Sequence, residues 1–228
     1  MTSYGIHKYA FGTPMPRHRH AEPYMAIVVE GGYQEAGDSG RVEARPGDVL
    51  LHGAYHAHRD AFLSCGATVL NLPIETATQS GFGWIGDVDA IVRLAERDPW
   101  QAVSLATAHM VSNESLLAEW PDLLAAALQD DPDLRIADWA AGMGLAAASV
   151  SRGFGRAYGV SPKRFRLEVR ARQAASRLSS WRDGLASFAA ELGFADQAHL
   201  SRAIISLTGL TPARLRAKSV QASTPPAR

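Results

Sequence analysis

The sequence contains very little cysteine and has no long hydrophobic segment. Cys65 is the single cysteine among 228 residues, which excludes an intramolecular disulfide bond. The apolar stretch from Met25 to Val29 is far shorter than the roughly 20 residues that a membrane-spanning helix needs. An N-terminal secretory signal is also lacking. These absences argue against a disulfide-stapled secreted domain and against a membrane protein, and we expect a cytoplasmic location.

The chain also lacks a net charge, because it has 23 basic and 23 acidic residues. A neutral chain ordinarily argues against a nucleic-acid partner, but the sum conceals an asymmetry. Residues 1–128 carry 8 Lys and Arg against 15 Asp and Glu, whereas residues 129–228 carry 15 against 8. From Leu134 onward, basic side chains outnumber acidic ones 15 to 5. This asymmetry predicts an acidic N-terminal domain and a basic C-terminal domain that attracts phosphates.

One pattern of residues occurs twice in the basic half, between Ile136 and Pro162 and again between Leu185 and Pro212. Each copy has an apolar segment with a small alanine, then a glycine followed by an apolar residue, and then a Ser-Arg pair before a Gly and a Pro. The first glycines, Gly144 and Gly193, stand where a sharp turn between two helices needs a positive φ. Each copy therefore predicts a helix-turn-helix, and two such units suit two successive major grooves of DNA.

This repeat resembles the DNA-binding region of the AraC/XylS family of transcription regulators. The resemblance covers Asp133 to Lys218 and includes the run from Gly193 to Arg202 and the closing sequence from Gly209 to Pro212. It implies seven helices, one of which joins the two helix-turn-helix units. In this sequence, that joining helix would run from Pro162 to Leu178 and would carry clustered basic residues for phosphate contacts.

The resemblance also implies which side chains contact DNA. Ala146 and Ala195 stand where the family usually has a capping Ser or Thr, and we expect Asp196 to cap the second recognition helix instead. We expect base contacts chiefly from the second copy, because the first offers few side chains that can bond a base edge. The predicted DNA-binding residues are Ser149, Arg152, Arg156, Asp196, Gln197, His199, Ser201 and Arg202.

The acidic N-terminal part has the pattern of a small β-barrel or sandwich. Between Tyr24 and Leu72, short runs of β-branched residues alternate with turn signals. The region from Pro16 to Asn71 resembles a cupin, the usual sensor fold of this regulator family. The resemblance rests on His18-x-His20, Glu30-Gly31-Gly32, Pro46-Gly47-Asp48-Val49-Leu50-Leu51, and the pair His56 and His58. The cupin glutamate that follows the second histidine is replaced by Tyr24.

Three of the histidines form a candidate metal site. Alternation along a strand would point His18, His20 and, if the strand continues, Glu22 into the barrel. Together with His58, the two histidines would offer three imidazoles to Zn²⁺ or another divalent first-row metal. Glu22 or an effector would take an open position on the metal.

A simpler interpretation of the same residues needs no metal. The segment from Arg17 to His20 could be a polar strand end, while His52, His56 and His58 line a loop that binds an organic effector or nothing. We expect no enzymatic activity, because the histidines are not accompanied by a group that would activate a substrate. A cupin fold by itself does not decide the function.

A segment of helical pattern, Ile85 to Gln129, separates the two domains. Helices are predicted from Asp87 to Arg97 and from Glu114 to Leu128, and the apolar stripe of the second indicates either core packing or a homodimer surface. The acidic segment from Asp130 to Asp133 marks the domain boundary. The predicted parts are a sensor domain (1–84), a helical linker (85–130), an all-α DNA-binding domain (131–218) and a disordered tail (219–228).

These observations together predict a multidomain α+β protein that acts as a sequence-specific DNA-binding transcription regulator. Its partners would be double-stranded DNA and an effector, either a small molecule or a metal, bound in the N-terminal barrel. Two other classes of protein stay open at this point. One is a cupin-type metal-dependent enzyme with a helical accessory domain, and the other is a DNA-compacting protein that is indifferent to sequence.

Overall fold

The computed structural model describes residues 4–75, 81–112 and 118–222, and the chain divides into two compact units. The first unit comprises Met1–Ala126 together with Gly153–Val160, and the second comprises Ala127–Arg152 together with Ser161–Arg228. An antiparallel sheet dominates the N-terminal part and helices form the C-terminal part, which confirms the coarse α+β architecture. Within the described residues, no helix combines the length and the apolar character needed to cross a membrane.

Eight strands of the described chain form one sheet, and all of their pairings are antiparallel. The strands are β1 (Gly5–Tyr9), β2 (Met15–Arg19), β3 (Tyr24–Gly37), β4 (Gly40–Ala44), β5 (Asp48–His52), β6 (Ala57–Pro73), β7 (Gly81–Trp84) and β8 (Val111–Ser112). Hydrogen-bonded neighbours follow the order β1, β6, β3, β5, β7 and β8, while β2 also pairs with β6 and β4 with β3. The two long strands, β3 and β6, are therefore the centre of the sheet.

Two helices lie wholly in the first unit, and a third begins there. They are α1 (Val88–Ala95), α2 (Pro99–His109) and α3 (Trp120–Asp130). Aspartates cap the first two helices: Asp87 accepts a hydrogen bond from a backbone N–H of α1, and Asp98 accepts two from α2. Such caps satisfy N–H groups that have no partner inside a helix.

Among the described residues of the segment 85–130, helices α1, α2 and α3 are accompanied by the short strand β8. Local periodicity does not predict β8, because that strand depends on pairing with β7. Part of the helix predicted from Glu114, residues 113–117, lies outside the described residues. In α3, Leu124 and Leu128 are fully buried, which favours core packing for these two positions.

Side chains alternate along β3 and so divide the apolar residues of the first unit between two faces. Tyr24, Ala26 and Val28 belong to a buried cluster that includes residues of β4 and β6. Met25 and Ile27 point the opposite way and pack with residues of α1 and α2. The helices therefore cover one face of the sheet, and the other face holds the polar pocket described below.

A buried carboxylate, Asp122 of α3, joins three parts of the first unit. It accepts hydrogen bonds from Arg41 Nε at 2.8 Å and from Arg41 Nη2 at 2.9 Å. It also accepts hydrogen bonds from the Tyr158 hydroxyl at 2.8 Å and from the backbone N–H of Glu119 at 3.0 Å. The side chains of Arg41 and Asp122 are 14% and 8% exposed, so the ion pair is largely removed from water.

We expect Asp122→Ala to lower the free energy of unfolding by about 3 kcal/mol, because Arg41 would lose its buried partner and keep only the exposed Glu119. Urea unfolding followed by tryptophan fluorescence measures the change. Glu119→Ala is the matched control, because Glu119 pairs with the same arginine but is 71% exposed. The control should cost less than about 1 kcal/mol. Equal losses in the two variants would contradict this account of the ion pair.

Six further helices follow among the described residues. They are α4 (Ile136–Gly142), α5 (Ala147–Tyr158), α6 (Pro162–Arg177), α7 (Leu185–Glu191), α8 (Gln197–Thr208) and α9 (Pro212–Ala222). The resemblance implies seven helices, and α3 directly precedes these six. Helix α6 has the predicted bounds, with Pro162 in its first turn and Leu178 at its C-cap. The predicted disordered tail begins inside α9, and its residues 223–228 lie outside the described part of the chain.

The turns of the repeat have the backbone conformation that the sequence predicts. Gly144 follows α4 with φ of 67°, and Gly193 follows α7 with φ of 69°. A residue with a Cβ is strained in this left-handed region, which accounts for glycine at both positions. Asp196 caps α8 as expected, since its Oδ1 accepts the backbone N–H of His199 at 2.6 Å.

Candidate functional site

Helix α8 buries one face and exposes most of the residues predicted to contact DNA. The buried face consists of Leu200, Ala203, Ile204 and Leu207. Of the predicted residues, Asp196, Gln197 and Arg202 are exposed, while His199 and Ser201 are half-buried. The buried residues fix the orientation of the helix, and the remaining face is open to a ligand.

The residues predicted at α8 differ in whether they already contact other residues of the protein. Asp196 is already bonded to a backbone N–H, and the His199 ring makes an edge contact with Phe194 at 5.2 Å between centroids. Gln197, Ser201 and Arg202 form no hydrogen bond or ion pair with another residue of the described chain. These three side chains are therefore the ones of α8 that are most available to base edges or phosphates.

Helix α5 shows the same division between faces. Val150, Phe154 and Tyr158 recur every four residues and are fully buried. The predicted contacts Ser149, Arg152 and Arg156 are all exposed. They follow one another at intervals of three and four residues, so they lie on one side of the helix. Arg156 lies in the part of α5 that belongs to the first unit, where its carbonyl accepts a hydrogen bond from Arg59 Nη1 at 2.7 Å.

In the first unit, the structure brings together His18, His20 and His58, as predicted. His18 of β2 pairs in register with His58 of β6, and their ring centroids are 4.3 Å apart. Strand β2 ends at Arg19, but the His20 ring still lies 5.0 Å from that of His18 and 5.6 Å from that of His58. One nitrogen of each ring can be chosen so that all three lie within 4.8 Å of one another.

These histidines open onto a cavity of about 190 Å³. Its lining also includes the aromatic residues Tyr9, Tyr24, Tyr33 and Phe62, together with two carboxylates, Glu35 and Asp60. Tyr24, which replaces the cupin glutamate, places its hydroxyl 3.3 Å from His58 Nε2. The cavity thus combines apolar walls with a few converging polar groups, as small-ligand sites usually do.

The structure places Glu22 elsewhere, so the prediction that it serves as a fourth ligand is wrong. Glu22 is exposed, is not among the residues that line the cavity, and accepts a hydrogen bond from the Tyr4 hydroxyl at 3.4 Å. The cause is the early end of β2, because strand alternation does not extend beyond Arg19.

Two further histidines are buried beside the pocket. The His52 ring stacks on Tyr24 with centroids 4.4 Å apart, and His52 Nδ1 lies 3.4 Å from His56 Nδ1. His56, His52 and His58 therefore form a second close group of imidazoles. His52 belongs to the end of β5 and His58 to β6, so the prediction that these histidines line one loop does not hold for these two.

Burial favours the neutral form of His20, His52 and His58. Desolvation, followed by the nearby His18, lowers the pKa of His20 to about 4. Desolvation is also the first cause that holds the pKa values of His52 and His58 well below their ordinary range. Neutral imidazole is the form that binds metals, so these three rings need no deprotonation near pH 7 before a metal can bind.

A family model described as a helix-turn-helix domain matches residues 139–218. The matched segment begins within α4, ends within α9 and contains both copies of the sequence repeat from Trp139 onward. Residues 139–218 therefore belong to a helix-turn-helix domain.

Solved structures of similar proteins were also found. The C-terminal domain of AraT, a response regulator from Geobacillus stearothermophilus, is 21% identical, over 46% of this chain and 88% of that one, with a TM-score of 0.41. An AraC-type regulator from Chromobacterium violaceum is 22% identical, over 45% and 90%, with a TM-score of 0.39. ToxT from Vibrio cholerae with bound unsaturated fatty acid is 11% identical, over 94% and 96%, with a TM-score of 0.40. No curated protein matches the sequence significantly.

The helix-turn-helix domain uses several arginines of α6 internally, although the sequence suggested them as phosphate contacts. Arg166 donates to the Leu134 carbonyl, and Arg170 donates to the carbonyls of Pro132 and Gly193. Arg164 and Arg177 form ion pairs with glutamates. Arg166, Arg170 and Arg177 connect α6 to other segments of the domain, whereas Arg164 is paired within α6. Charge clustering alone therefore overstates the number of cations that face DNA.

Sequence reasoning missed the two carboxylates of the cavity, Glu35 and Asp60. Asp60 follows His58 by two positions on β6, and this spacing places both side chains on one face of the strand. The spacing could have been read from the sequence. Glu35 could not have been found in that way, because its place opposite Asp60 depends on the register of β3 with β6.

We expect Asp60→Asn to be more stable than the wild type at alkaline pH. Burial raises the pKa of Asp60 to about 7. The raised pKa of Asp60 contributes stability that is fully present below the unfolded-state pKa of about 4. This contribution is lost as the pH rises through about 7. Asparagine stays neutral, so the stability difference should grow between about pH 4 and about pH 8.

Urea unfolding at a series of pH values, with metals removed by a chelator, measures this difference. Asp89→Asn, which changes an exposed carboxylate of α1, is the control. A difference between Asp60→Asn and the wild type that stays constant over this pH range would show that Asp60 is not held in its protonated form by burial.

Proposed function

We propose that this regulator contacts two successive major grooves through two helix-turn-helix units and responds to an effector bound in a cupin-like N-terminal barrel. One unit would consist of α4 and α5, and the other of α7 and α8. The helix-turn-helix match over residues 139–218 carries the proposal. The DNA-binding domain would comprise residues 131–218, preceded by the sensor domain (1–84) and a helical linker (85–130).

Sequence-specific contact should come mainly from α8. Gln197 and Arg202 are exposed side chains with no bond to another described residue, and both can make paired hydrogen bonds with a base edge. Ser201 is the third available side chain. In α5, Arg152 and Arg156 are suited to phosphates, and Ser149 is short enough to approach a base or the backbone.

The effector site of the proposal is the cavity that holds His18, His20 and His58. Three imidazoles can form the protein part of a zinc site that leaves a fourth position for water or an organic ligand. When bound, Zn²⁺ would supply a Lewis-acidic point that orients such a ligand. An effector can change DNA binding only if it favours one conformation of the protein over another.

A second candidate function is a metal-dependent enzyme, and the open three-histidine site favours it. Two observations together would support the enzyme: turnover that depends on His18, His20 or His58, and binding without preference for any DNA sequence. The regulator ranks first because the helix-turn-helix match is independent of the cavity.

The apolar face of the linker is also the basis for expecting a homodimer.

The first test is selection of bound fragments from random duplex DNA, at near-physiological salt, with the metal content assayed on the same sample. We expect a recovered motif with two blocks about 10 base pairs apart, because the two units would contact successive major grooves. Failure to enrich any motif, with stoichiometric metal in the protein, would reject the regulator and support the enzyme. Failure to enrich a motif despite tight binding would instead indicate a DNA-compacting protein.

We expect Arg202→Ala to weaken binding to the selected sequence by about 1–3 kcal/mol and to relax the preference at one position. Fluorescence anisotropy with the selected duplex and with single-base variants measures both effects. Arg182→Ala is the control, since Arg182 is exposed and lies outside α5 and α8. An equal loss on every sequence would assign Arg202 to a phosphate instead of a base.

A further inference from the structure

Two carboxylates face each other inside the first unit. Glu35 of β3 and Asp60 of β6 are direct partners in the antiparallel register, and both line the cavity. Glu35 is 5% exposed, and the side chain of Asp60 is 10% exposed. Like charges at directly opposed positions destabilise a sheet, and burial of a carboxylate without a partner adds a further cost. A cation held between the two groups would remove both unfavourable terms, and so would protonation of the acids.

The residues of the described chain do not supply that charge permanently. Neither Glu35 nor Asp60 forms an ion pair with a lysine or arginine there. The nearest basic atoms belong to imidazoles: His52 Nε2 lies 3.5 Å from Glu35, and His58 Nε2 lies 3.9 Å from Asp60.

Two buried polar atoms of this group have no hydrogen-bond partner in the described structure. They are Asp60 Oδ1 and His58 Nδ1. Buried polar atoms are satisfied in the great majority of cases, so each exception needs an explanation such as a bound ion. One oxygen from each carboxylate and one nitrogen of His58 also lie within 4.8 Å of one another. Small side-chain rotations would allow a single ion to contact all three.

We propose that Glu35, His58 and Asp60 form a second, carboxylate-rich site that binds a divalent cation of the Mn²⁺ type. Carboxylates suit Mn²⁺ and other hard cations, and imidazole suits Fe²⁺, Zn²⁺ and Cu²⁺, so a mixed set favours Mn²⁺ or Fe²⁺. The three-histidine group of the proposed function favours Zn²⁺ instead. This inference rests on the proposed function, and it adds a class of metal for another part of the same cavity.

Because His58 belongs to both donor sets, the two sites compete for one ring. A cation held by Glu35, His58 and Asp60 would connect β3 with β6, whereas one held by His18, His20 and His58 would connect β2 with β6. The identity of the metal would then decide which strands are bridged.

The test is a pair of metal titrations on the full chain after removal of bound metals. The disappearance of the electron paramagnetic resonance signal of free Mn²⁺ reports Mn²⁺ binding, and competition with a chromophoric chelator reports Zn²⁺ binding. We expect Glu35→Gln and Asp60→Asn to weaken Mn²⁺ binding more than about tenfold while changing Zn²⁺ affinity little. We expect His18→Ala and His20→Ala to do the reverse. In the wild type, Zn²⁺ should displace Mn²⁺, and His58→Ala should weaken the binding of both.

Asp48→Asn is the matched control, because Asp48 is a buried carboxylate whose Oδ2 is bonded to a backbone N–H outside the cavity. Urea unfolding of each variant shows whether it is folded, and the isosteric changes Glu35→Gln and Asp60→Asn preserve side-chain shape. The proposal is overturned if folded wild-type protein does not bind Mn²⁺, or if the histidine variants weaken Mn²⁺ binding as strongly as the carboxylate variants. Either result leaves the DNA selection unaffected, so the two proposals fail separately.

Discussion

The antiparallel pairing of β3 with β6 is the constraint on which most of the first unit depends. These strands are the longest of the sheet, and β1, β2, β4 and β5 each pair with one of them. Their register determines that Tyr24 and Ala26 face the cavity while Met25 and Ile27 face α1 and α2. A shift by one residue would exchange the two faces and bring apolar side chains to the polar side.

The same pairing concentrates ionisable groups where water is scarce. Five histidines, two carboxylates and Tyr24 share one region, and burial moves their pKa values toward the neutral forms wherever a shift is resolved. A structural core would use apolar side chains of similar volume at lower cost. These groups converge on one cavity, and some of their buried atoms have no hydrogen-bond partner. Ligand binding is therefore the better explanation for the presence of so many buried ionisable groups.

The C-terminal half was more predictable from sequence than the N-terminal half, because its signals are local. Gly144 and Gly193 mark the turns, Asp196 caps its own helix, and Pro162 opens α6, all within a few residues of the feature concerned. In the N-terminal half, the histidine group was predicted from strand alternation and a resemblance. The opposition of Glu35 and Asp60 was not, because it joins residues of two strands whose register no short motif specifies.

The burial of helical faces also depends on tertiary contacts and not on local sequence. The stripe in α3 could have meant a core or a homodimer, and the buried positions Leu124 and Leu128 could be assigned only in the folded chain. For α6, basic composition predicted phosphate contacts, but Arg166 and Arg170 reach backbone carbonyls that become available only when the helices pack. Composition records how many charges a helix carries, whereas tertiary structure decides where they are used.

The internal bonds of the α6 arginines have a consequence for ionic strength. The slope of log affinity against log salt counts the cations released from DNA when phosphates are neutralised. An arginine held by a carbonyl or a glutamate contributes little to that release. The salt dependence of this protein should therefore be shallower than its 15 basic residues beyond Leu134 suggest, and a larger share of its affinity should persist at high salt.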